Sequence, residues 1–103
     1  MKCFVTFRLR TGVTPEEYDR WFRETNVPAV RKMESITSYR VWRVADVMEG
    51  EPSYEVLEEM EFDDRAAFER EIAELPEIKA MLEGWYARVA DQLVVFAEEV
   101  SQD

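Results

Sequence analysis

The sequence predicts an α+β domain in which a four-stranded antiparallel sheet carries helices on one face, in the order βαββαβ. Three observations point there. Four runs rich in β-branched and aromatic residues lie at Lys2–Arg10, Ile36–Asp46, Ser53–Phe62 and Leu93–Val100. Two stretches with apolar residues three and four apart fall between the first and second of these runs and between the third and fourth. The turn that separates the second and third runs is short enough for a hairpin, so strands and helices are segregated rather than strictly alternating. At 103 residues the chain fits one domain spanning residues 1–103.

Each element has its own warrant. In the first strand Cys3, Val5, Phe7 and Leu9 share one face, and Phe4, Thr6, Arg8 and Arg10 the other. Thr11-Gly12 breaks it. Thr14-Pro15-Glu16-Glu17 is a helix start: Thr14 caps, Pro15 suits the first turn, and Glu17 completes a capping box. The stripe Tyr18, Trp21, Phe22, Ala29, Val30 and Met33 follows, with Asn26 four residues after Phe22 and therefore towards the same side. Pro28 is expected to bend or end the helix near Asn26-Val27.

In the second strand, either Arg40 and Trp42 or Tyr39 and Val41 face away from the helices. The third strand sets Tyr54, Val56, Met60 and Phe62 on one face and Glu55, Glu59 and Glu61 on the other. Its Glu58-Glu59 pair points one carboxylate to each side. Asp63 or Asp64 caps the next helix, whose stripe is Phe68, Ile72 and Leu75. Pro76 separates it from a second piece with Ile78, Met81, Leu82 and Trp85 inward. Ser101–Asp103 reads as a frayed tail. Both sheet faces are fairly apolar, and the helices cover only one, so pairing of two sheets in a homodimer would cover the other.

Composition excludes whole classes of function. The net charge of -10 repels phosphate backbones and anionic headgroups, so neither nucleic acid nor membrane is an expected partner. No apolar run reaches membrane-spanning length and no signal-peptide pattern precedes the first strand, so the expected location is the cytoplasm. There is no histidine, which removes the commonest general base and transition-metal ligand. Three glycines make no phosphate loop. Cys3, the only cysteine, rules out an internal disulfide and reads as a small buried residue. No metal and no cofactor are expected.

The phrases TPEEYDRWFRETNVPAV, SITSYRVWRV, PEIKAMLEGW and LVVFAEEV together resemble the dimeric α+β barrel superfamily of ferredoxin-like domains. The relevant branches are the EthD-like, REDY-like and antibiotic-biosynthesis-monooxygenase types. The resemblance covers nearly the whole chain. It implies a homodimer whose sheets form a shared barrel, and a pocket in each subunit between the sheet and its own helices. Relatives often carry histidine two residues before proline at the end of the first helix; here that place reads Asn26-Val27-Pro28. Activities that need a histidine there are not implied. Cofactor-free monooxygenases of the superfamily are described in terms of Asn, Trp, Tyr and Arg around an oxidisable aromatic substrate.

The pocket candidates are therefore Tyr18, Trp21, Phe22, Asn26, Tyr39, Tyr54 and Trp85, with no residue assigned to catalysis. Asn26 is either a polar ligand contact or the residue that satisfies backbone groups freed by Pro28. The aromatic residues are either pocket walls or ordinary core. Arg8, Arg40 and Arg43 either meet an anionic oxygen or pair with Glu55, Glu58, Glu59 or Glu61. Glu58 or Glu59, whichever is buried, is a candidate carboxylate base because desolvation raises its pKa. The functional expectation is a hydrophobic or aromatic small molecule, bound and acted on without a cofactor as in a monooxygenase or cyclase. The alternatives are a non-catalytic ligand-binding or stress-response module, and a structural partner of a biosynthetic enzyme.

Overall fold

A computed structural model describes residues 1–102. The strands are β1 (Lys2–Leu9), β2 (Ile36–Arg43), β3 (Val56–Phe62) and β4 (Val89–Ala97). The helices are α1 (Pro15–Trp21), α2 (Val27–Val30), α3 (Arg65–Glu74) and α4 (Pro76–Tyr86), with a π turn over Phe22–Asn26 joining α1 to α2. The strands form one antiparallel sheet in the order β2-β3-β1-β4, with the helices against one face. This is the ferredoxin-like βαββαβ arrangement expected from the sequence.

The register settles which residues face the helices. Val5 of β1 and Val41 of β2 both lie opposite Glu58, and Cys3 and Tyr39 both lie opposite Met60. Residues directly opposite share a face, so Tyr39 and Val41 point to the helices and Arg40 and Trp42 to the open side. The core on the helix side is built from Cys3, Val5, Phe7, Val56, Phe62 and Val89 of the sheet under Tyr18, Val30, Phe68, Ile78, Met81 and Trp85. Phe62 stacks on Phe68 with centroids 4.5 Å apart, and Phe96 meets Phe62 edge-on at 5.8 Å. On the open side Trp42 and Leu93 remain 50% and 57% exposed, respectively, so this apolar face has no cover within the chain.

Several boundaries differ from the sequence expectation. Strand β2 ends at Arg43 rather than Asp46, and β3 begins at Val56, leaving Tyr54 in the preceding loop. Strand β4 starts at Val89 and ends at Ala97, earlier than the run Leu93–Val100 suggested. Its first half is disguised by Asp91, which adopts a left-handed φ of 54° beside a register shift opposite Thr6–Arg8. Such a bulge needs a residue that tolerates positive φ, and Asp does so better than the β-branched residues that mark a strand. The expected capping box forms as Thr14 Oγ1 accepts from Glu17 N at 3.2 Å and Thr14 N donates to the Glu17 carboxylate at 3.4 Å. Asp64, not Asp63, caps α3 through the amide of Ala67. At the chain end, Gln102 Nε2 donates to Glu99 at 2.9 Å, while Asp103 lies outside the described residues.

Pro28 does not end the helix: Asn26 and Val27 both keep right-handed helical φ and ψ, and α2 runs on through the proline. The amide of Val27 bonds back to the carbonyl of Phe22, five residues earlier, so one extra residue is absorbed as a π turn. The consequence is rotational. In an unbroken α-helix Thr25 stands seven, four and three residues after Tyr18, Trp21 and Phe22, and would take the inward position. With the extra residue, Thr25 is exposed and Asn26 is buried instead.

Candidate functional site

Between the helix-side face of the sheet and α3, α4 and the π turn lies a cavity of about 310 Å³. Its walls are mostly apolar: Val5, Met60, Phe68, Met81, Trp85 and Phe96 are among them. Three of its polar side chains are joined to one another. Asn26 Nδ2 donates to Tyr39 Oη at 2.8 Å, and Tyr39 Oη donates to Glu58 Oε1. Three elements converge here: the π turn turns Asn26 inward, edge strand β2 brings Tyr39, and β3 brings Glu58. Glu58 is only 5% exposed, flanked by Val5 and Val41 across the sheet.

Burial dictates the electrostatics. Desolvation pushes the Glu58 carboxyl up to about 7, and the hydrogen bond from Tyr39 opposes that rise only in part. Tyr39 is pushed well above its ordinary value, by burial first and then by the neighbouring Glu58 charge, so its phenol stays protonated and donates. Tyr18 is raised in the same way, chiefly by burial and then by Glu58. The Trp85 indole N–H opposes that rise from nearby, yet misses hydrogen-bonding geometry: Tyr18 Oη and Trp85 Nε1 are both buried without a hydrogen-bond partner. Burial lifts the Cys3 thiol, also on the cavity wall, to about 11, which keeps it neutral and inert as a nucleophile at pH 7. No lysine or arginine lines this cavity among the described residues, and none of their acidic and cysteine side chains cluster to hold a metal ion.

The seven pocket candidates are dispersed by the fold. Asn26, Tyr39 and Trp85 line the cavity, and Tyr18 is buried beside it through its contact with Phe7, which also meets Trp85. Trp21 turns away from it, packing on Gly84 and under the Arg88 guanidinium at 4.9 Å. Phe22 lines a wider, open groove of about 540 Å³ along the β2 edge, with Tyr39 and Val30 as the partition between groove and cavity. Tyr54 sits in the loop before β3, away from both. The cavity is the stronger candidate site of the two because it alone contains a buried carboxyl group. Two of the three candidate arginines are engaged elsewhere: Arg43 forms a two-pronged pair with Asp19 at 2.6 and 3.2 Å, and Arg8 donates to Pro52 O at 2.5 Å, while Arg40 is exposed on the open side of the sheet. In the sequence Glu58 stands out only as half of a pair. Its parity with Val56, Met60 and Phe62 is the signal that it, rather than Glu59, faces inward; Glu59 takes Lys2 at 2.8 Å instead.

A ferredoxin-like sheet with a part-polar cavity under its helices defines the class: a small α+β barrel-type domain. Within that class the chain belongs to the family described as REDY-like protein HapK, which matches residues 1–100. Similar solved structures include At3g17210 from Arabidopsis thaliana, at 17% identity over 99% of this chain and 97% of that one, with a TM-score of 0.81. HapK from Hahella chejuensis is 16% identical over 100% and 98% of the two chains, with a TM-score of 0.71. A point mutant of SnoaB from Streptomyces nogalater, a cofactor-independent oxygenase, is 16% identical over 99% and 96%, with a TM-score of 0.68. Others of this fold are described as dimeric. At these identities the likeness establishes the fold alone. No curated protein matches the chain by sequence.

Proposed function

We propose that this protein binds a hydrophobic, aromatic or polyketide-like small molecule in the cavity bounded by Asn26, Tyr39, Glu58 and Trp85, and acts on it without a metal or organic cofactor. The chemistry is oxygenation, cyclisation or another step that begins with proton transfer, and Glu58 is the base. The observation that carries this reading is a carboxyl group buried in an apolar cavity large enough for a ligand, with its pKa raised to about 7. A base poised near the ambient pH combines availability with proton affinity, and burying a carboxyl group without a cation is costly enough to call for a use. In this reading Tyr39 and Asn26 are positioning residues that fix the carboxylate. The protein acts as a cytoplasmic homodimer, the exposed sheet faces of two copies covering one another; the dimeric state of similar folds supports this.

One observation favours a second reading. Asn26, Tyr39 and Glu58 satisfy one another, so the cluster also suits a binding module that performs no reaction. Native mass spectrometry of freshly purified protein tests the common part: the expected result is a dimer that retains an apolar ligand, and a bare monomer would contradict it. With a retained ligand identified, Glu58→Gln separates the two readings. Loss of turnover with binding kept supports the base, and a ligand that never changes in the presence of the wild type supports the module.

A further inference from the structure

The hydrogen bonds that join Asn26, Tyr39 and Glu58 all run one way. Asn26 Nδ2 donates to Tyr39 Oη, and Tyr39 spends its one hydroxyl proton on Glu58 Oε1. The chain of donation ends there. Glu58 Oε2 accepts from no protein donor among the described residues and yet is not sealed in, so it opens onto the cavity that the side chain lines. Buried carboxyl groups are normally met by a cation or by several donors. This one is 5% exposed and has a single phenol. The other carboxyl group on the wall is Glu69 from α3, and no lysine or arginine lines the cavity. Much of the remaining wall is aromatic, with Phe68, Trp85, Tyr86 and Phe96 contributing. Carboxylate oxygens and aromatic faces both attract positive charge.

Resting on the cavity being a ligand site, we propose that the ligand is an organic cation, a fused aromatic ring system that carries a protonated amine, with the ammonium group donating to Glu58 Oε2 and the rings packed against Phe68, Trp85 and Phe96. In this role Glu58 is a fixed negative charge, and no proton need be transferred. A volume of about 310 Å³ accommodates a two-ring skeleton with a short polar arm. The net charge of -10 adds a long-range term, since it raises the local concentration of cations around the molecule. An anionic ligand meets the opposite conditions: it would be buried beside a carboxyl group with no cation on the wall to receive it. The apolar walls still hold the rings when the charge of Glu58 is removed, only more weakly, so counter-ion and base remain separable at saturating ligand.

The titratable groups around Glu58 come from five elements. Cys3 from β1, Tyr39 from β2 and Tyr18 from α1 are all raised by burial. Glu69 from α3 is held by Arg65 at 2.9 Å, and the same guanidinium stacks over Phe96 at 3.9 Å, so this cation is already committed. Tyr86 from α4 is the remaining phenol on the wall. Burial raises the Glu58 carboxyl to about 7, and only its ionised form attracts a cation. Affinity for the cation therefore rises with pH through about 7 and then levels.

The test compares three probes of one shape in NMR titrations of the full-length protein: naphthalen-2-ylmethylamine, a cation; naphthalen-2-ylmethanol, its neutral counterpart; and 2-naphthoate, an anion. At about pH 8 wild type is expected to bind the amine roughly 10-fold or more tighter than the alcohol, and the naphthoate most weakly. From about pH 6 to about pH 8 the affinity for the amine rises roughly 10-fold and that for the alcohol does not. Glu58→Gln is expected to lose roughly 10- to 100-fold for the amine and to keep the alcohol. Glu59→Gln removes the same charge one residue away, on the open face, and leaves the affinity for the amine unchanged, which separates a local counter-ion from the general pull of an acidic protein. Should Glu58→Gln not fold, the order of the three probes and the pH dependence with wild type decide the question. If the alcohol or the naphthoate binds wild type as tightly as the amine, the cationic ligand is overturned and the ligand site stands. If the preference for the amine persists in Glu58→Gln, or is lost equally in Glu59→Gln, the counter-ion assignment is overturned. If none of the three binds at millimolar concentration, the ligand-site reading fails with the rest.

Discussion

The two faces of the sheet are both apolar, yet they have been put to different uses. The face under the helices is closed by Phe68, Met81 and Trp85, and within that cover a single carboxyl group is held. The opposite face presents Trp42, Leu93 and Val95 to the surroundings, with its ionic groups, such as Glu59 and Lys2, in a salt bridge at the margin. The same residue type therefore behaves oppositely one position apart. Glu59 meets a lysine on the open side, whereas Glu58 meets two valines and a tyrosine and is driven towards its neutral form. Cover, rather than local sequence, decides whether a glutamate on this strand is an ordinary surface charge or a chemically poised group.

The largest effect that would break this comparison is on the closed face. Phe62→Ala removes a ring that is fully buried and stacked on Phe68, and should cost about 4 kcal/mol in urea unfolding. A loss below about 1 kcal/mol would mean that the closed face is not a packed core. Next comes the pH dependence of stability. Glu58 has a folded pKa of about 7 against an ordinary 4.5, so the folded state holds the proton more tightly. Its contribution is fully present below pH 4.5 and is lost as the pH rises through 7. Because one pKa unit is about 1.4 kcal/mol, the wild type should lose about 3 kcal/mol relative to Glu58→Gln between pH 4.5 and 8.5. Parallel stability curves for the two proteins would contradict the buried ionisation. The smallest effect belongs to the open face. Trp42→Glu should leave the circular dichroism spectrum unchanged and the intrinsic stability of a subunit within about 1 kcal/mol, while light scattering shows the dimer converting to monomer. A dimer that survives the substitution would place the contact elsewhere.

Element order, capping and the helix-side parity of β1 and β3 are legible in the sequence because each rests on local rules: alternation, a capping box, proline at the first turn. Less legible are the features that depend on the whole fold. Strand β2 carries apolar or aromatic side chains at both parities, and only the pairing of Tyr39 with Met60 and Val41 with Glu58 shows which side faces the helices. The first half of β4 is hidden by the bulge at Asp91. The spacing from Phe22 pointed Asn26 towards the inner side, but the π turn is what takes Thr25 out and brings Asn26 to the hydroxyl of Tyr39. Trp21 and Phe22 fit the inward stripe equally well on paper; the fold seats one against Gly84 and the other over the β2-edge groove. Tyr54 matches the parity of β3 but precedes its first paired residue. Glu58 is the instructive case. The doubled glutamate showed that one of the pair must face inward, and nothing local could show that it would do so beside a cavity with Tyr39 and Asn26 already bonded to each other.

The central claim is that Glu58 is a buried carboxyl group poised near neutrality. A carbon-detected NMR titration of the Glu58 side-chain carboxyl, assigned with Glu58→Gln, tests it most directly. The account predicts a midpoint near 7. A midpoint between 4 and 5, in the ordinary glutamate range, would contradict it.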